Sequence, residues 1–170
     1  PWIRETLAID LDPKDQHRNS YPTEIPAAIE SPAFSKAIRE FLKEEQIDAS
    51  GENRLRHGHG HTQEEMYAIK HKRLGRIPDV VLYPESEAQV ASLIATAKDH
   101  NVVLIPFGGG TNVTDALRCS DNENRVIATV DMRRMNRILW IDKENMMACI
   151  EAGAVGRHIM TQLAKYGVSM

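Results

Sequence analysis

In the second half of the chain, short apolar runs alternate with segments of helical spacing. Residues 80–83 form a compact apolar run that a proline terminates, which predicts a buried strand of the parallel type. Apolar side chains at four positions between residues 90 and 97 follow i, i+3, i+4, i+7 spacing, which predicts a helix to about His100. A second apolar run over residues 102–107 predicts the next strand. This order of elements predicts a parallel crossover unit.

Further elements follow after residue 125. Apolar patterning predicts strands over residues 126–131, 138–142 and 147–151. The last two are separated only by a short polar turn, so we expect them to form an antiparallel hairpin. A helix is predicted from about Gly156, and Gly167 is placed to follow it as the C′ residue.

The N-terminal part has a different character. Residues 10–32 combine prolines with scattered charges, which is typical of a loop or linker. Ser31 is predicted to cap a helix that has Pro32 at its first position and an apolar side that packs on a neighbouring domain. The sequence therefore predicts an α+β fold, with an N-terminal extension over residues 1–73 and a second domain over residues 74–170.

Composition narrows the class of protein. The formal charge is −3, with 42% hydrophobic and 26% charged residues, which is ordinary for a globular protein and argues against nucleic-acid binding. No apolar stretch is long enough to cross a bilayer. Cys119 and Cys149 lack the spacing of a disulfide scaffold or a zinc ribbon. We expect both cysteines to be buried thiols. We also expect five methionines to fill the core: Met132, Met135, Met146, Met147 and Met160.

Three histidines, His57, His59 and His61, alternate with glycines. On an extended chain all three point to one face, so a metal site is conceivable. No cysteine or acidic residue stands at an obvious spacing to supply a fourth ligand. We therefore expect no metal, and favour a structural or domain-bridging role over a contact with a substrate domain.

Three consecutive glycines, Gly108–Gly110, directly follow the second predicted strand. Such a turn either bends sharply or lets a ligand approach the main chain, whose N–H groups can converge on a phosphate. No lysine is present for a Walker A loop, and Val113 stands where a Rossmann fingerprint needs its third glycine or alanine. Asp131 lies about twenty residues on, where that fingerprint has its ribose-binding acid, but we interpret it as a strand-end cap. A tight turn without ligand remains the alternative.

The segment Pro106-Phe107-Gly108-Gly109-Gly110-Thr111-Asn112 resembles the P-x-G-G-G-T-[NS] turn of FAD-binding domains of the vanillyl-alcohol-oxidase (PCMH) type. Residues 78–84 and 151–156 are similar to other segments of that domain. The resemblance implies FAD as the cofactor, with these seven residues along its diphosphate, and a domain of which this chain holds only the first part.

Three further segments, residues 59–61, 76–79 and 135–140, resemble the alkyldihydroxyacetonephosphate synthases within that superfamily. The resemblance implies a redox-neutral exchange of the acyl chain of acyl-dihydroxyacetone phosphate for a long-chain fatty alcohol, in ether-lipid synthesis. It also implies a peroxisomal homodimer resting on the inner face of the membrane.

The family's substrate-handling residues lie beyond residue 170, so no catalytic residue is expected in this stretch. We expect the stretch alone to be inactive and poorly soluble. A 2-hydroxy-acid dehydrogenase of the same superfamily and a non-catalytic flavin-binding fragment stay open as alternatives.

Overall fold

A computed structural model describes residues 2–8, 24–71 and 75–169; most of the predicted linker over residues 10–32 lies outside these ranges. The helices are α1 (Trp2–Leu7), α2 (Pro32–Ile38), α3 (Gly51–His57), α4 (Gln63–Lys70), α5 (Glu87–Asp99) and α6 (Gly156–Lys165). The strands are β1 (Ile47–Asp48), β2 (Val80–Leu82), β3 (Val103–Phe107), β4 (Ile127–Asp131), β5 (Ile138–Asp142) and β6 (Met147–Ile150). Within the described ranges, every helix is too short or too polar to span a membrane.

Four strands form the main sheet in the order β1-β2-β4-β3. The strands β2 and β3 both pair in parallel with β4, whereas β1 pairs antiparallel with β2. The α+β class and the parallel strand–helix–strand unit are confirmed. The position of β4 between the two strands of that unit was not predicted. All five residues of β4 are buried, while β3 lies at the edge of the sheet and is only partly buried.

The helices α2 and α5 pack together with the sheet to form the core. Ser31 caps α2 as predicted, because its hydroxyl accepts a hydrogen bond from the Phe34 N–H at 3.3 Å. Phe34 and Ile38 then join Leu93 of α5 and Leu82 of β2 in one buried cluster. Burying an apolar side chain of this size contributes about 1.5–3 kcal/mol. The core is therefore continuous between the N-terminal part and the sheet, and the division at residues 73/74 stays a prediction.

The strands β5 and β6 form the predicted antiparallel hairpin, and α6 follows it. The expectation that the methionines fill the core is wrong for Met146, Met147 and Met160, which are 78%, 54% and 57% exposed. These residues lie on the hairpin and on α6, which leave one side facing solvent. Met135 is buried as expected, and Met132 packs against the core.

Gly153 connects the end of the hairpin to the segment after β4. Its N–H donates to the carbonyl oxygen of Met135 at 2.8 Å. A Cβ at this position would overlap with the carbonyl group of Met132. Backbone atoms cannot move aside as a flexible side chain can, so this position requires glycine.

We predict that Gly153→Ala lowers the free energy of unfolding by at least about 2 kcal/mol, because the added methyl group forces two main-chain segments apart. Urea unfolding of the cofactor-free, full-length protein, followed by circular dichroism, measures the loss. Gly156→Ala is the control, since a Cβ there meets no atom within 4 Å. The control variant should keep its stability or gain up to about 1 kcal/mol from alanine's helix propensity; equal losses in both variants would contradict the prediction.

Candidate functional site

The glycine turn leaves the carboxyl end of edge strand β3. Gly108 and Gly109 are exposed, and a Cβ added at either position meets no atom of the described residues within 4 Å. Gly110 is buried with φ +69°, and its Cβ would lie 2.7 Å from the Phe107 ring. The conformation of Gly110 therefore favours glycine, whereas the first two glycines leave an open main chain that a ligand can approach closely.

The other predicted site residues divide between the surface and the interior. Pro106 and Thr111 are exposed, whereas Phe107 is buried. Asn112 is half-buried and has a positive φ of 52°, a conformation that asparagine tolerates better than most residues. Its side-chain amide is committed within the protein, because its oxygen accepts from the Leu117 N–H at 2.9 Å and its nitrogen donates to Glu65 at 2.7 Å. Asn112 is therefore oriented toward the protein rather than toward solvent.

A buried histidine lies beneath the turn. The His57 ring packs against the Phe107 ring with centroids 4.3 Å apart. Its Nδ1 lies 2.7 Å from the Asn53 carbonyl oxygen, and its Nε2 lies 2.8 Å from Oδ2 of Asp131. A carbonyl and an ionised carboxylate only accept hydrogen bonds, so both bonds form together when both ring nitrogens carry hydrogen.

Asp131 ends strand β4 directly beside Phe107 in the sheet register. Its Oδ1 accepts from the Arg133 N–H at 2.9 Å, which confirms the interpretation of this residue as a strand-end cap. Its Oδ2 accepts from His57 and from Nε of Arg133, the latter at 2.7 Å. Burial alone would raise the pKa of Asp131, but the hydrogen bonds from His57 and Arg133 outweigh it and lower the pKa below its ordinary value.

The three histidines do not share one face. His57 ends helix α3 instead of lying on an extended segment, and it points into the protein. His59 and His61 pack edge-to-face with ring centroids 6.3 Å apart. Across the described ranges, we find no group of three or more His, Cys, Asp or Glu side chains suited to a metal ion. The geometry assumed for a metal site is therefore wrong for His57.

A groove of about 410 Å³ lies between α4 and residues 112–121. Its charged lining comprises Glu64, Glu65, Asp115 and Asp121 together with Arg76 and Arg118. Both arginines already pair with aspartates, at 2.6 Å for Arg76 with Asp79 and 3.4 Å for Arg118 with Asp115. The carboxylates therefore dominate, and the groove is unfavourable for a phosphate.

Comparisons with known proteins show the family to which the chain belongs. A family described as "FAD binding domain" matches residues 78–170. The alkyldihydroxyacetonephosphate synthase of Caenorhabditis elegans is 38% identical over 98% of this chain and 28% of that protein. That of Trypanosoma brucei brucei is 35% identical over 86% of this chain and 24% of that protein. A solved structure of an alkyldihydroxyacetonephosphate synthase is 32% identical with a TM-score of 0.83, covering 87% of this chain and 27% of that one.

The chain belongs to the FAD-binding-domain family, and FAD is its cofactor. Within that family its similarity to alkyldihydroxyacetonephosphate synthases extends through the N-terminal part, which lies before the family domain begins. Two oxidoreductases, an L-gulonolactone oxidase and a D-lactate dehydrogenase, are matched over only 67% and 54% of the chain. The chain spans roughly a quarter of the length of the synthases that it matches.

We predict that Asp131→Asn lowers the free energy of unfolding by about 3 kcal/mol at pH 7, because His57 and Arg133 lose their charged partner. The carboxylate has a lowered pKa in the folded protein, so its contribution is complete above the ordinary value of about 3.9 and is lost as the pH falls through the folded value. The difference between variant and wild type should therefore shrink as the pH falls from about 4 toward 2.

Urea unfolding at several pH values measures this difference. The control is Asp99→Asn, at the exposed end of α5, which should change stability by less than about 0.5 kcal/mol at any pH. A loss from Asp131→Asn that is the same at pH 7 and at pH 2 would contradict the proposed charge pairing.

Proposed function

We propose that the chain is the N-terminal, cofactor-binding portion of an FAD-dependent alkyldihydroxyacetonephosphate synthase. The observation that carries this proposal is the 38% identity to a synthase over 98% of the chain. Oxidoreductases match a shorter stretch, which favours the synthase over a 2-hydroxy-acid dehydrogenase. The open main chain at Gly108 and Gly109 is equally compatible with a non-catalytic flavin-binding fragment, and the alkyl-exchange assay below distinguishes that alternative from the synthase.

The diphosphate of FAD would lie along residues 106–112, with the N–H groups around Gly108 and Gly109 directed to its oxygens. The lack of any atom near the Cβ positions of these two glycines supports this placement. Successive main-chain N–H groups in such a turn provide an anion-binding concavity without any lysine or arginine. Phe107 and Asn112 would hold the two ends of the turn, since both side chains face the protein.

In the full-length protein, the proposed reaction exchanges the acyl chain of acyl-dihydroxyacetone phosphate for a long-chain fatty alcohol, giving the alkyl ether and a free fatty acid. Bound FAD supplies covalent catalysis at the substrate carbon without net oxidation. The part of the protein described here binds and orients the cofactor, and the residues that handle the substrate are proposed to lie beyond residue 170.

We further propose that the full-length protein is a homodimer in the peroxisome and contacts the inner face of its membrane. These proposals are supported by the resemblance to the synthases.

We predict that Gly109→Val in the full-length protein abolishes FAD binding, because a branched side chain occupies the space that the diphosphate needs. Purified wild-type protein should show flavin absorbance at about 370 and 450 nm, and the variant should be colourless. Wild-type protein should also convert a labelled fatty alcohol into alkyl-dihydroxyacetone phosphate, and the variant should not.

Ala95→Val, on the exposed side of α5, is the matched control and should retain both flavin and activity. Wild-type protein that takes up no FAD would contradict the placement of the cofactor. Flavin-containing protein that reduces an electron acceptor with a 2-hydroxy acid, but exchanges no alkyl group, would favour the dehydrogenase.

A further inference from the structure

Asn112, at the C-terminal end of the glycine turn, is linked to the N-terminal part of the chain through the carboxylate of Glu65. Oε1 of Glu65 in helix α4 accepts a hydrogen bond from Nδ2 of Asn112 at 2.7 Å. The same oxygen accepts from the Gly60 N–H at 2.7 Å. Gly60 is buried so closely against Asn112 that a Cβ at Gly60 would overlap with the Cβ of Asn112. Residues 60–65 therefore contact the turn through both main chain and side chain.

Glu65 is fully engaged by hydrogen-bond donors. Its Oε2 accepts from the N–H of Thr62 at 3.0 Å and from the hydroxyl of Thr62 at 2.8 Å. Partial burial raises the pKa of Glu65, but the hydrogen bonds from Gly60, Thr62 and Asn112 outweigh it and bring the pKa to about 2. The side chain is thus ionised at neutral pH and held in one orientation, which makes it a rigid acceptor for Asn112.

Asn112 transmits this orientation to the turn. Its φ of 52° costs some free energy even for asparagine, and the contacts of its side chain and carbonyl group offset that cost. Its side-chain oxygen and carbonyl oxygen accept from the N–H groups of Leu117 and Asp115, at 2.9 and 3.0 Å, which fixes the segment that follows. These contacts hold the main chain of Asn112, to which the three glycines are joined through Thr111.

We propose that Glu65 is a positioning residue of the cofactor site, which fixes Asn112 and thereby orients the glycine turn for FAD. This inference rests on the proposed function only in taking the turn as the place where FAD binds. It makes residues 60–65, which precede the family domain, a working part of the cofactor site.

The test exchanges the amide of Asn112 and the carboxylate of Glu65 between the two positions in the full-length protein. The affinity for FAD is measured by titrating the cofactor-free variants, with flavin fluorescence as the signal. Asn112→Asp places a carboxylate against Glu65 and also near Asp115, whose Oδ1 lies 3.3 Å from the amide nitrogen, and we expect FAD binding to weaken at least about tenfold. Adding Glu65→Gln to that variant restores an amide–carboxylate pair, and we expect the double variant to bind FAD more tightly than Asn112→Asp alone. Glu65→Ala alone should weaken binding about tenfold.

Two controls separate positioning from helix capping. Thr62→Ala removes the side-chain cap of α4 and one hydrogen bond to Oε2 of Glu65, but leaves the bonds that Oε1 accepts from Gly60 and Asn112. Glu64→Ala removes a neighbouring exposed glutamate. Both should bind FAD within about threefold of the wild type, since neither touches Asn112.

The proposal would be overturned if the double variant bound FAD no more tightly than Asn112→Asp. It would also be overturned if Thr62→Ala weakened FAD binding as much as Glu65→Ala does. If Glu65→Ala does not fold, the comparison of Asn112→Asp with the double variant still tests the proposal. Unchanged FAD affinity in all variants would reject the positioning role while leaving the synthase assignment intact. Tight flavin binding without alkyl exchange in the wild type would reject the synthase assignment while leaving the positioning role intact.

Discussion

The carboxylate of Asp131 is the interaction on which the glycine turn and its surroundings depend. It ends the central strand, accepts a hydrogen bond from the buried His57, and pairs with Arg133. A buried carboxylate is costly unless its partners are charged and well placed. Arg133 supplies the charge, and the hydrogen bond with His57 places helix α3 beneath Phe107, so that the ring at the start of the turn packs on the histidine. These contacts hold strand β4, helix α3 and the glycine turn in fixed positions relative to one another.

An edge strand cannot by itself hold the loop that leaves it. Among the described residues, strand β3 has a neighbouring strand on one side only, so the turn after it relies on contacts from outside these four strands. That support comes from His57 under the first residue of the turn and from Glu65 at its end. Both residues precede position 78, where the similarity to the FAD-binding domain begins. The N-terminal part thus supports the glycine turn, although it lies outside the family domain.

Local patterns were sufficient to predict most of the elements, because each depends on nearby residues. The cap at Ser31, the strands from residue 80 onward and the hairpin are of this kind. Long-range pairings were not accessible: nothing local places β4 between β2 and β3 or brings His57 to Asp131, 74 positions away. Helix α4 was also missed, although the Thr62-x-x-Glu65 capping box signals its start. The exposed methionines were misassigned because apolar spacing indicates a face but not what covers it.

The order of the supports along the chain has a consequence for synthesis. Residues 57–65 leave the ribosome before the glycine turn, and Asp131 leaves after it. The nascent chain therefore possesses a complete turn about twenty residues before the strand that anchors it is available. Until β4 pairs with β3, the turn has the support of residues 60–65 but lacks the one that Asp131 gives it through His57 and Phe107.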